Sequence, residues 1–188
     1  NIIFIIADDL GYGDIEPYGQ QLIKTPYLAK FAKEGMRFTQ FYAGTSVCAP
    51  SRSSLMTGMH TGHTFIRGNK EVQPEGQYPI SASTYTIAEA LKKAGYTTGL
   101  FGKWGLGPME TEGDPLKHGI DRFYGYNCQR QSHRYYPTHL WDNEKKVILE
   151  ENHDLLKAVT YAPDLIQRQA LQFMDDNREH PFLLFLAY

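Results

Sequence analysis

The residues that draw chemistry first are Cys48 and Arg52, in the run Ser46-Val47-Cys48-Ala49-Pro50-Ser51-Arg52-Ser53-Ser54-Leu55-Met56-Thr57-Gly58. Pro50 near the start and Gly58 at the end delimit a helix over residues 49–58, because proline suits a first turn and glycine a helix stop. A helix opening there points main-chain N–H groups and its positive dipole end at Cys48, a setting that holds an anion. The same setting activates an unmodified thiol as a nucleophile, so that reading stands beside the others. Arg52 falls one turn below Cys48 on the same face, where its guanidinium can reach a bound anion. Taken alone, a cysteine four residues before an arginine is most often a buried thiol beside a capping side chain.

Other candidate groups lie at the ends of strand-like runs. Asp8-Asp9 follows the apolar run Asn1–Ala7, and carboxylate oxygens suit hard cations such as calcium or magnesium. Lys103 sits in the glycine-rich Gly102-Lys103-Trp104-Gly105-Leu106-Gly107. His118, His133 and His139 follow within the next stretch, and imidazole is the side chain that moves protons near neutral pH. His60 and His63 have the spacing of a metal pair but no evident third ligand, which leaves a substrate-rim role open, and Arg67 and Asn69 read as solvated loop residues, with substrate contact as the alternative. Cys48 and Cys128 are too few for a disulfide framework and lack the CxxC spacing of a zinc site.

The elements that must position these groups alternate. Residues 1–7 form a continuous β-branched run, the pattern of a central parallel strand buried on both faces. Thr25-Pro26 starts a short amphipathic helix that closes at Gly35, and residues 37–43 read as a strand leading to the Cys48 turn. A helix over 86–94, with Ile87, Leu91 and Ala94 on one face, is followed by a strand over 96–101. Residues 102–143, rich in Gly, His, Tyr and Pro, read as long loops over the active face. A helix over 162–177 turns Ile166, Ala170, Phe173 and Met174 inward, and 181–188 is another buried strand. Such alternation predicts an α/β sandwich with helices on both faces of a largely parallel sheet, its ligands gathered at the carboxyl ends of the strands.

Composition narrows the rest. The 188 residues are 41% hydrophobic and 21% charged, which excludes disordered and fibrous classes. A formal net charge of -2 leaves no broad basic field for nucleic acid, so an anion must be bound locally. The apolar runs fall far short of the roughly 20 residues a membrane span needs. No signal peptide is visible, since residue 1 already opens a strand-like run. The 13 tyrosines suit a carbohydrate-facing surface and a large core equally well.

The run around Cys48 resembles the signature of the type I sulfatases, CxPSR followed by a leucine and a TG pair, within the alkaline phosphatase-like superfamily. That resemblance implies that a maturation enzyme oxidises Cys48 to formylglycine, whose hydrate attacks the sulfur of a sulfate ester. It implies a metal site of Asp8, Asp9 and the modified residue 48, holding calcium or magnesium, with further ligands beyond these 188 residues. Gly102 to Gly107 resembles the family's GKWHLG, which makes Lys103 a sulfate-binding cation beside Arg52. Gly105 departs from that pattern, because the family carries there a histidine that contacts formylglycine. Of the three histidines that follow, His139 is taken to supply the missing imidazole.

By this resemblance residues 1–188 are the N-terminal part of a sulfatase catalytic domain, the remainder and any C-terminal subdomain being absent, and the piece alone is expected to be inactive. The expected substrate is a sulfated saccharide or aryl sulfate, and the expected location periplasmic, secreted or lysosome-like. Two other readings stay open: a phosphate or phosphonate ester hydrolase of the same superfamily, and a non-catalytic relative that binds sulfated glycans.

Overall fold

Six consecutive apolar residues make strand β6 (Phe182–Ala187), and every one of them is buried. The computed structural model describes residues 1–152 and 158–188. These form two compact units, residues 1–6 with 44–188, and residues 7–43.

In the larger unit β6 lies between β1 (Ile2–Ile6) and β2 (Thr97–Lys103), parallel to both, and β2 pairs in parallel with β3 (Arg122–Tyr126). An antiparallel hairpin, β4 (His139–Asp142) and β5 (Lys145–Ile148), completes the order β1-β6-β2-β3-β4-β5. Side chains alternate across the sheet, so the central strands feed two cores. Leu183, Phe185 and Ala187 of β6 join Leu100 and Phe123 on one face, together with Ala49 and Met56 of helix α2 (Cys48–Thr57) and Ala88 of helix α3 (Ile87–Lys93). Phe182, Leu184 and Leu186 join Phe101 and Tyr124 on the other face, under Ile166, Ala170 and Phe173 of helix α5 (Ala162–Asp176). The sandwich expected from the alternation is therefore present, with four parallel strands and an antiparallel pair at one edge.

Several local expectations change. Strand β1 is parallel as expected but lies at the sheet's edge among the described residues, not at its centre. Phe4 and Ile6 pack on the first core, while Ile3 and Ile5 remain 47% and 62% exposed on the other face. In α3 the buried residue is Ala88 and Ile87 is exposed, because the helix meets the sheet through its smaller side chain. The stretch 102–143 is not loop: it holds β3, β4 and the short helix α4 (Gln129–Ser132), and buries Trp104, Leu106, Ile120, Phe123 and Leu140. Strands covered on both faces lose the two-residue polar alternation, and glycines interrupt what remains, so their sequence imitates a loop.

The smaller unit is built around α1 (Pro26–Glu34), which follows Thr25 and stops at Gly35 as the sequence indicates. Thr25 Oγ1 accepts from Glu16 N–H at 3.0 Å instead of capping the helix. Tyr18 Oη donates to Phe38 O at 2.8 Å, and Arg37 Nη1 donates to Pro17 O at 2.6 Å. Residues 37–43 are not a strand: no strand pairs with them among the described residues, and a β-ladder needs a partner backbone.

Candidate active site

Helix α2 begins at Cys48 itself, two residues earlier than Pro50 suggests, with Val47 as the extended N-cap residue. Pro50 is thereby the third helical residue and has no N–H to offer. Ala49 N–H is taken by Asn69 Oδ1 at 2.9 Å, so Asn69 fastens the first turn of the helix. The other end closes on Gly58, whose left-handed φ of 69° lets its N–H reach Ser54 O at 2.8 Å.

Four residues after Cys48, Arg52 is only 6% exposed, and its Nη1 donates to the main-chain oxygen of Lys103 at 2.6 Å. Lys103 is the last residue of β2, two residues further than expected, and is 1% exposed. The signature helix and the carboxyl end of β2 are thus tied by a charge-assisted hydrogen bond in a buried setting, where such bonds are strongest. Trp104 N–H continues the β2–β3 pairing to Tyr126 O at 3.2 Å, and its ring N–H donates to Gly113 O at 2.8 Å. Arg52 and the main chain of Lys103 are thereby held together beside α2.

The histidines separate clearly. His118 is fully buried with its ring nitrogens against Glu112 O at 2.8 Å and Thr84 O at 3.2 Å, which fixes loops to loops. His139 Nε2 lies 2.6 Å from Glu75 Oε2 and 2.7 Å from Gln131 Nε2, and its Nδ1 lies 3.1 Å from Thr138 Oγ1. A carboxylate only accepts, so the Nε2 proton of His139 is directed at Glu75 and both ring nitrogens are engaged. His133, just after α4, has an exposed ring, and a ring nitrogen lies within 4.8 Å of Cys48 Sγ. The imidazole that the structure sets beside residue 48 is His133. His60 Nδ1 accepts from Gly62 N–H at 3.0 Å and serves its own turn. Cys48 and Cys128 are both free thiols, and burial pushes the Cys128 thiol up from its ordinary value.

Asp8 and Asp9 follow β1 in the chain and open the smaller unit, where Asp9 takes a left-handed φ of 56°. Two carboxylates are the donors a hard divalent cation selects. A cysteine thiolate is a soft ligand that suits such an ion poorly, whereas an oxygen suits it.

Glu75, absent from the sequence reading, accepts from Trp141 Nε1 at 2.8 Å as well as from His139, with Lys146 Nζ at 3.9 Å. Burial works to raise its carboxyl, but those hydrogen bonds and positive charges outweigh it and hold the value below the ordinary 4.5. A depressed carboxylate contributes stability above its unfolded value and loses it as pH falls through the folded one. Glu75→Gln is therefore expected to destabilise the full-length protein by about 1–3 kcal/mol near neutral pH. Urea titrations at a series of pH values should show that gap closing below pH 4.5. A gap that stays constant down to acid pH would refute the assignment.

The sequence pattern of the Sulfatase family matches residues 1–188. The chain is 36% identical over 207 residues to an arylsulfatase of Hemicentrotus pulcherrimus, covering all of this chain and 36% of that protein. It is 40% identical over 136 residues to an N-acetylgalactosamine-6-sulfatase of Rattus norvegicus, covering 68% of this chain and 26% of the relative. The crystal structure of Ps i-CgsB in complex with k-i-k-neocarrahexaose superimposes with a TM-score of 0.81 at 31% identity, over all of this chain and 44% of that one. The chain thus spans about a third of the curated relatives it matches. Among the described residues no helix is long and apolar enough to cross a membrane.

Proposed function

Because this chain belongs to the sulfatase family, we propose that the full-length protein hydrolyses sulfate esters of a sulfated carbohydrate, with residue 48 as nucleophile after oxidation to formylglycine by a maturation enzyme. The observation that supports this reading is the His133 ring within 4.8 Å of the Cys48 thiol at the start of α2, with Arg52 one turn further along the same helix and bonded to the main chain of Lys103. Hydrated formylglycine supplies two hydroxyls on one carbon, one to attack sulfur and one whose loss of a proton releases sulfate.

Arg52 and Lys103 place fixed positive charge where the sulfuryl oxygens gather charge in the transition state. Both are buried, so little water competes with them and no reorganisation is needed as the charge shifts. His133, with a ring nitrogen within 4.8 Å of residue 48, is the candidate to take a proton from it. That position makes His133 the residue we propose for the role left open by Gly105. By resemblance to the family, Asp8, Asp9 and an oxygen at residue 48 would hold calcium or magnesium, which when bound would draw electron density from sulfate oxygens. Action in a periplasmic, secreted or lysosome-like location belongs to the same reading.

A sulfated saccharide is favoured over simple aryl sulfate by the kinds of relatives matched, which include a named N-acetylgalactosamine-6-sulfatase and a neighbour holding an oligosaccharide. The test is turnover by the full-length enzyme of a panel of sulfated saccharides, with aryl sulfate and aryl phosphate in parallel, alongside the mass of the peptide containing residue 48. Sulfate release and conversion of the thiol to an aldehyde are expected. A large preference for the phosphate ester would make the protein a phosphate ester hydrolase, and an unconverted Cys48 in an active enzyme would make the thiolate the nucleophile.

A further inference from the structure

The connection from β3 into α4 carries buried polar groups that the reading above does not use. Gln129 is 5% exposed, and neither Nε2 nor Oε1 of its carboxamide has a hydrogen-bond partner among the described residues. Buried amides are rarely left with both ends unanswered, because each lost hydrogen bond costs free energy. A water, or a group of a ligand, is the usual answer.

The carboxamide owes its position to Gly105. A Cβ built at residue 105 would lie 2.8 Å from Gln129 Nε2 and 3.0 Å from Oε1, and the φ of 75° there already disfavours a side chain. Gly105 comes two residues after Lys103, whose main-chain oxygen holds Arg52. On its own helical turn Gln129 precedes His133 by four residues, and His133 N–H donates to Gln129 O at 3.1 Å. Gln129 therefore lies one helical turn from the imidazole beside Cys48. The amide therefore fills the space a side chain at residue 105 would take, one turn before His133.

What would satisfy it follows from its atoms. Nε2 donates and Oε1 accepts. A sulfate oxygen only accepts and would leave Oε1 unanswered, whereas two hydroxyls on the same or adjacent carbons satisfy both ends, one accepting and the other donating. We propose that Gln129 is a substrate-site residue that binds paired hydroxyls beside residue 48, in the space left open by Gly105. Two sources carry that chemistry, a vicinal pair on the substrate sugar and the geminal pair of hydrated formylglycine. The inference rests on the sulfatase reading above.

The test compares full-length, matured wild type with Gln129→Met, which keeps the length of the side chain and removes both hydrogen-bonding atoms. Substrates are the sulfated saccharide the enzyme turns over best, its deoxy analogue lacking the hydroxyl next to the sulfate, and aryl sulfate. A fall of about ten- to a hundredfold in kcat/KM on the sulfated saccharide is expected. A fall confined to that substrate assigns the hydroxyls to the sugar, and an equal fall on all three assigns them to the hydrate; either supports the proposal. Unchanged kinetics on every substrate overturn it, because the carboxamide would then only fill space. Should thermal melting show Gln129→Met to be poorly folded, Gly105→Ala carries the same comparison by pushing the amide aside. A wild type inactive on all sulfate esters sinks the sulfatase reading and this inference with it, whereas an active wild type with unresponsive variants sinks the inference alone.

Discussion

Cys48→Ala in the full-length, matured enzyme is expected to lower sulfate ester turnover by at least about 10³-fold, because the covalent route is removed and only binding and fixed charge remain. The loss should not come from unfolding. Cys48 is half-buried at the first position of α2, where alanine is at home in a helix, so stability should change by less than about 0.5 kcal/mol. Cys48→Ser sharpens the test. A serine offers one hydroxyl where the hydrate offers two, so it can attack sulfur but has no second hydroxyl to expel sulfate. At most one sulfate per enzyme should be transferred, with the group retained on residue 48 and visible by mass. A Cys48→Ala enzyme that turns over sulfate ester near the wild-type rate would place the nucleophile elsewhere.

Arg52→Ala is expected to cost both stability and rate. The guanidinium is buried against the main-chain oxygen of Lys103, so truncation deprives a buried carbonyl of its donor and opens space beside the first core. Together these should lower unfolding free energy by about 2–4 kcal/mol, measured by urea denaturation. Loss of a preorganised charge at the sulfuryl group should lower kcat by about 10²–10³-fold. Arg52→Lys should recover little, because an ammonium is a single compact charge and cannot hold Lys103 O and an anion in one planar fork. An Arg52→Ala enzyme with raised KM and unaltered kcat would show that the arginine binds substrate without favouring the transition state.

These two residues were the legible part of the site, and the reason is local. Cys48 and Arg52 lie four apart on one helix, so sequence spacing alone places them on a shared face once proline and glycine mark the helix ends. Even there the helix began two residues early, since a proline is tolerated anywhere in a first turn and does not identify which position it holds. The imidazole was a different matter. His118, His133 and His139 are equivalent candidates by type, and sequence separation says nothing about which reaches residue 48. Packing chose among them: backbone carbonyls hold His118, Glu75 holds His139, and the turn after α4 leaves His133 at the thiol. Glu75 lies 64 residues from its histidine partner, a contact no local pattern encodes. Gln129 and His133, at helical spacing just after β3, did carry a signal, but the stretch around them reads as loop because both faces of its strands are buried.

Sequence alone thus singled out Cys48 by its resemblance to the sulfatase signature, put Arg52 one turn away on the same helix, and indicated the sandwich of helices on a largely parallel sheet. Each of these is written in residue types repeating at the period of a helix or strand. Tertiary structure alone decided which histidine faces residue 48, that β1 lies at the sheet's edge among the described residues, and that Gly105 makes room for a buried carboxamide. Those outcomes depend on close packing between segments distant in the chain, where a single Cβ or one carboxylate settles which side chain occupies the space.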